Sequence, residues 1–298
     1  MPGDVSTREL LSRTVRGFID DDAPRWGAAL AYYTVVSLAP LVVLAVPVLG
    51  WILGQGSAET RVIEQAGLLA GPRAVEVART ILDEANGPGL GSWGAALTVL
   101  LFLFGATAVF SNLQDALNHI WSVRPSTGVV RNLVRSRATA VLMVLGLGVL
   151  TLASVVVGTV SGWVAPRIEI LDGMLPVVWA ADLLTSVLLL WLFVGAVFWV
   201  LPDVRIHWSD VWVGALATAV LLVVGRFALT AFLARNAMAS MFGAASSIFL
   251  LLVWIYFSAQ VFLLGAEFTQ VWARASGRRI RPESYAKSFR VVEADDDE

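Results

Sequence analysis

The 298-residue chain has no cysteine, only 2 histidines and only 15% charged residues. Without thiols there is no thiolate metal site, no iron–sulfur cluster, no cysteine nucleophile and no disulfide framework. His119 and His207 are too few for a histidine-cluster metal centre or an HExxH pair. No P-loop and no Rossmann glycine pattern occurs, which argues against a nucleotide-driven pump. A formal net charge of -2, with no basic stripe interleaved with aromatics, argues against a nucleic-acid surface. A soluble domain carries about 25% charged residues, so this chain has too little charge to cover a water-facing surface. The expectation is a protein with no catalytic residue, no metal and no cofactor, and not an enzyme.

What the sequence does have is apolar length, with 57% hydrophobic residues and a mean hydropathy of +0.75. About 20 mostly apolar residues cross a hydrocarbon core of about 30 Å. Six segments qualify: 28–53, 95–119, 138–163, 177–201, 211–233 and 248–272. The predicted fold class is therefore all-α: a polytopic membrane protein with six transmembrane helices plus short amphipathic surface helices. Of the 12 tryptophans, all but Trp191 and Trp254 lie at or near a predicted span end, where the amphipathic indole prefers the headgroup level.

Basic residues set the orientation. Of the 21 lysines and arginines, only Arg61, Arg73, Arg79, Arg167 and Arg235 fall outside when the N-terminus is placed in the cytoplasm, and Arg226 falls inside a span. Both termini are thus expected in the cytoplasm, and residues 1–22 lack the apolar core of a cleavable signal peptide. Residues 1–27 read as an amphipathic cytoplasmic segment, with Leu10, Leu11, Val15, Phe18 and Ile19 at helical spacing among arginines and Asp20, Asp21 and Asp22 capping it. The outer loop 54–92 reads as two short amphipathic helices on either side of Gly71-Pro72, resting on the bilayer or capping the bundle. Residues 28–272 form the membrane domain, and 273–298 a cytoplasmic tail whose acidic end is disordered.

Four blocks of sequence resemble the YihY/BrkB family of bacterial inner-membrane proteins. They are GAALAYYTVVSLAP at 27–40, GATAVFSNLQDALNHIW at 105–121, LPD at 201–203 followed by WSDVWVGA at 208–215, and FGA at 242–244 followed by LLGAE at 263–267. The match runs from about Phe18 to Ala275, with one departure: Phe242 stands where the family usually has tyrosine. The resemblance implies six helices in the cytoplasmic membrane. Members have carried a ribonuclease label regarded as mistaken, and others are linked to serum resistance and to envelope lipid export. What the resemblance suggests here is envelope transport.

Ionisable groups at membrane depth cost about 2.5–3.5 kcal/mol each on insertion scales, so each needs a partner or a purpose. Arg226 and Asp182 fall at matching depths on the outer side of neighbouring spans, which predicts an intramembrane ion pair. Ser111, Asn112, Asp115, Asn118 and His119 share one helix face. Two readings stay open for that face. One is interhelical hydrogen bonding to the last span through Gln260, Glu267 or Gln270. The other is a cytoplasm-facing vestibule in which Asp115 and Glu267 share a proton or cation beside His119. Pro40 removes a backbone hydrogen bond at the middle of the first span, and with Tyr32, Tyr33, Thr34 and Ser37 below it the freed carbonyl either marks a kink or lines a binding site. Expected partners are membrane lipids and envelope proteins, with no nucleic acid and with the oligomeric state open, a homo-oligomer included. The functional expectation is a transporter or lipid-handling protein of the cell envelope, with a non-enzymatic scaffold as the alternative.

Overall fold

Apolar runs with few charges leave the backbone no solvent partner in lipid, so they close their hydrogen bonds within helices. A computed structural model describes residues 6–53, 55–70, 72–85, 92–126, 146, 175–235, 246–277, 280–283 and 285–288. The elements are α1 (Thr7–Asp20), α2 (Ala23–Leu53), α3 (Gln55–Ala70), α4 (Pro72–Ala85), α5 (Ser92–Ile120), β1 (Val123–Pro125), α6 (Leu175–Val200), β2 (Val204–Arg205), α7 (Trp208–Arg235), α8 (Ser246–Ala275), β3 (Arg281–Pro282) and β4 (Ala286–Ser288). The chain is mostly helical.

Among the described residues, four helical segments are long and apolar enough to cross a membrane: Ala23–Val46, Leu183–Val200, Trp208–Leu229 and Ile248–Ala275, with mean hydropathies of 2.1, 2.4, 2.0 and 2.2. Only 28%, 22%, 33% and 22% of the residues in these windows are buried by the protein itself. At about 25 cal/mol per Å² of exposed apolar surface, water is an untenable solvent for them and hydrocarbon a natural one. α5 covers the predicted second span as one helix. The predicted third span, 138–163, lies outside the described residues apart from Gly146.

The chain divides into two compact units, one of residues 24–113 and 224–261, the other of residues 1–23, 114–223 and 262–298. In the first, the segment on either side of residue 71 folds as the two expected helices, α3 and α4. Their apolar stripes close on the chain rather than on solvent: Val62, Ala78 and Leu82 form a core with Val42 of α2, and Ala74 and Val77 one with Leu251 of α8. α2 runs unbroken through Pro40 and Pro47. It approaches α5 at backbone distance, since a Cβ on Gly105 would lie 2.6 Å from Ser37 Cβ and 3.0 Å from its Cα.

In the second unit, α7 and α8 grip each other reciprocally. Thr269 of α8 sits on Gly214 of α7, and Thr218 of α7 sits on Gly265 of α8. Each threonine hydroxyl donates to the carbonyl four residues back on its own helix, Thr218 to Gly214 and Thr269 to Gly265, both at 2.7 Å. The hydroxyls thus carry no unsatisfied polarity into the contact, and small residues let the helices approach, as membrane helices require. The tail is not wholly free. β4 pairs antiparallel with β1, and β3 with β2, so residues 281–288 strap the connections that follow α5 and α6. The acidic end, 289–298, lies outside the described residues.

α1 starts where Ser6 caps it, its side chain accepting from Glu9 N–H at 3.2 Å. Leu10 and Thr14 are buried, whereas Leu11, Val15 and Ile19, at four-residue spacing, are 56%, 52% and 63% exposed. That second stripe matches the apolar face that interfacial helices in general present to lipid.

Candidate functional site

Two aspartates end α1 and turn the chain into α2. Asp21 is the C-cap, its backbone N–H donating to the Gly17 carbonyl at 2.8 Å while the Asp22 N–H donates to the Ile19 carbonyl at 3.1 Å, and Asp22 takes the left-handed conformation at φ 53° that Asp tolerates better than most residues. The turn aims the Asp21 side chain at α8, where Glu267 is only 1% exposed. Gly17, one turn earlier, makes the approach feasible: a Cβ there would stand 2.7 Å from Glu267 Oε2. The Asp21 and Glu267 side chains are hydrogen-bonded, and two carboxyl groups share a hydrogen bond only when a proton lies between them. His119 Nε2 stands 3.8 Å from Asp21 Oδ1, and the Arg274 guanidinium also acts on Asp21. Glu267 Oε1 has no hydrogen-bond partner among the described residues.

Burial raises the Asp21 carboxyl above its ordinary 3.8, outweighing the hydrogen bond from Glu267 and the favourable charges of His119 and Arg274. The folded protein then binds the Asp21 proton more tightly than the unfolded chain does, so this stabilisation is complete below 3.8 and is lost as pH rises through the elevated folded value. The melting temperature of the detergent-solubilised protein is expected to fall as pH climbs above about 4, and the fall is expected to be shallower in Asp21→Asn. Equal slopes in the two proteins would contradict this assignment.

The same unit holds a second buried acid. Asp203 follows the Leu201-Pro202 turn after α6 and is 2% exposed. Its Oδ2 accepts from Asn118 Nδ2 at 2.9 Å and its Oδ1 from Gln114 Nε2 at 3.3 Å, while its N–H donates to Asn118 Oδ1 at 2.8 Å. Gln114 and Asn118 are one turn apart on α5, so a single helix face clamps the carboxylate. Glu283 of the tail closes the node, its N–H donating to the Asp203 carbonyl at 3.0 Å. Gln270 of α8 donates to the Ile120 carbonyl at the end of α5. Gln270 thus ties α8 to the backbone end of α5, while the stripe's Asn118 bonds to the α6–α7 turn.

The structure brings some predicted site residues together and separates others. Glu267 and His119 converge, but on Asp21. Asp115 is exposed and has Asp203 as its acidic neighbour, so Asp21 takes the place expected of Asp115 beside Glu267. Asn112 donates within its own helix, to the Ala108 carbonyl at 2.8 Å. Tyr32 is 62% exposed, its ring 5.3 Å from that of Tyr33. Pro40 is buried. Ser37 donates to the Thr34 carbonyl at 3.0 Å, so its hydroxyl serves its own helix. Arg226 is exposed, and its expected partner, the Asp182 side chain, lies outside the described residues. Among the described residues, no group of three or more histidines and acids has metal-holding geometry. Asp21, Asp203, Gln114 and Gly17 were not singled out as site residues by sequence reasoning. Gln114 alone carried a usable signal, its four-residue spacing to Asn118.

Comparison with known proteins follows the same lines. The family model described as virulence factor BrkB matches residues 14–289. A UPF0761 membrane protein of Tolumonas auensis is 28% identical over 258 residues, covering 84% of this chain and 80% of that protein. One of Rhodospirillum centenum is 26% identical over 277 residues, covering 90% of this chain. A third, of Albidiferax ferrireducens, is 25% identical over 290 residues, covering 94% of this chain and 67% of that protein. The chain spans 59% of the length of the Rhodospirillum relative. No solved structure matches.

Proposed function

The chain belongs to the BrkB family of membrane proteins, and from that premise we propose that it is a transporter or lipid-handling protein of the bacterial envelope, driven through a proton held between Asp21 and Glu267. On this reading it sits in the cytoplasmic membrane with the six spans read from the sequence and with both termini inside. The observation that carries this reading is the buried Glu267 carboxyl on an apolar span, hydrogen-bonded to Asp21 and left with one oxygen unsatisfied. Structure alone gives no return on that arrangement: an ionisable side chain at membrane depth costs about 2.5–3.5 kcal/mol, and an amide would fill the same space. A proton-exchanging site needs such a group, placed where a cation such as Arg274 can answer its charge. Membrane lipids are the proposed partners, and the role is non-enzymatic.

The test is flux. In proteoliposomes carrying a fluorescent phospholipid and an imposed pH gradient, the wild type is expected to speed translocation at least tenfold over protein-free vesicles, and Glu267→Gln to return it close to background. Translocation equal to that of protein-free vesicles would overturn the proposal. One observation favours the scaffold reading instead, namely the backbone-distance contact between α2 and α5 at Ser37 and Gly105, which closes those two helices on each other. The flux result decides between them.

A further inference from the structure

Arg205 and Arg281 are directly paired across the β2–β3 ladder. Residues opposite one another in an antiparallel pair put their side chains on the same face with Cβ atoms about 4.5–5.5 Å apart, and like charges there destabilise the pairing. The chain nevertheless places two guanidinium groups together. Glu283 answers part of the charge, accepting from Arg205 Nε at 3.1 Å. Arg281 has no acidic partner among the described residues. Both arginines, with Ile206 and His207, line an open cleft of about 290 Å³, at the small end of ligand sites. His207 also stands at the start of α7, its carbonyl accepting from the Asp210 N–H at 2.9 Å.

The level of this cleft in the membrane follows from its flanks. Trp199 near the end of α6 and Trp208 at the start of α7 pack edge to face at 5.3 Å, and Trp208 lies 5.9 Å from Trp212. All three remain 38–50% exposed, as tryptophans at the headgroup level do. The connection that carries Arg205 and His207 runs between Trp199 and Trp208. A pair of guanidinium forks suits the bidentate geometry of phosphate oxygens, and at headgroup depth the phosphate at hand belongs to a lipid.

We propose that the Arg205–His207–Arg281 cleft binds the phosphate of an anionic phospholipid headgroup. The negative charge relieves the repulsion between the two arginines and fastens the tail strap to the α6–α7 connection. The site is distinct from the acid pair, and its test reads lipid retention without any flux, so failure of either proposal leaves the other standing.

The experiment is native mass spectrometry of the full chain released from micelles doped with phosphatidylglycerol, with phosphatidylcholine, or with inorganic phosphate alone. The expected result is a phosphatidylglycerol adduct on the wild type at least tenfold more abundant than the phosphatidylcholine adduct. It is expected to fall at least fivefold in the double variant Arg205→Gln with Arg281→Gln, less in Arg205→Lys with Arg281→Lys, and not at all in the control Arg13→Gln. Should the double variant fail to fold, raising salt before release from the micelle is expected to strip the wild-type adduct progressively, since the cleft is open to solvent. Equal retention of both lipids, an adduct indifferent to the double variant or to salt, or binding of inorganic phosphate with no lipid adduct would each overturn the proposal.

Discussion

Gly214→Val is expected to leave little folded protein in detergent. A Cβ at Gly214 would stand 2.7 Å from Thr269 Cβ and 3.0 Å from its Cα, and the second of these is backbone that no rotamer can move aside. Overpacking costs about 1–3 kcal/mol and occasionally more, and valine's branched carbons place this substitution at the top of that range. The mirrored change, Gly265→Val, meets Thr218 Cβ and Cγ2 at 2.8 Å and is expected to do the same. Thr269→Gly in the Gly214→Ala background opens the space again and is expected to recover part of the melting temperature. Size-exclusion profiles and thermal melting read all of these. A Gly214→Val protein as stable as wild type would mean that α7 and α8 do not meet there.

The second large effect is expected at Asp203. Asp203→Ala leaves the Asn118 and Gln114 amides, both buried, without their acceptor. An unsatisfied buried donor costs about 1–3 kcal/mol, so the loss is expected to reach about 2–5 kcal/mol. Asp203→Asn keeps one acceptor oxygen and turns an NH2 toward the other donor, so roughly half that loss is expected. The backbone bond from Asp203 N–H to Asn118 Oδ1 survives in both, which limits the effect to the carboxylate. Thermal melting across the series checks the ordering, and an Asp203→Ala protein that melts with the wild type would remove the node from the account.

The helices were legible because lipid imposes a simple rule, length and apolarity, and among the described residues α2, α6, α7 and α8 obey it. The helical pair α3–α4 was legible from spacing around Gly71-Pro72. The strap of β3 and β4 was not, because residues 281–288 carry no strand alternation over so short a run and their partners lie far away in sequence. The polar face of α5 could be read from its three- and four-residue spacing, but not its partners. Asp203 is 85 residues from Asn118, and no periodicity links them. Asp21 read as a helix cap, which it is. That the same residue reaches Glu267 depends on the left-handed turn at Asp22 and the missing side chain at Gly17, features that become meaningful only once α1 lies on α8.

The most direct test of that geometry is a pair of double-mutant cycles on thermal stability, Asp21→Asn with Glu267→Gln and Asp115→Asn with Glu267→Gln. Residues in contact couple by about 0.5–3 kcal/mol, while independent sites add within about 0.3–0.5 kcal/mol. The acid pair described here predicts strong coupling between Asp21 and Glu267 and additivity between Asp115 and Glu267. The reverse pattern would contradict it.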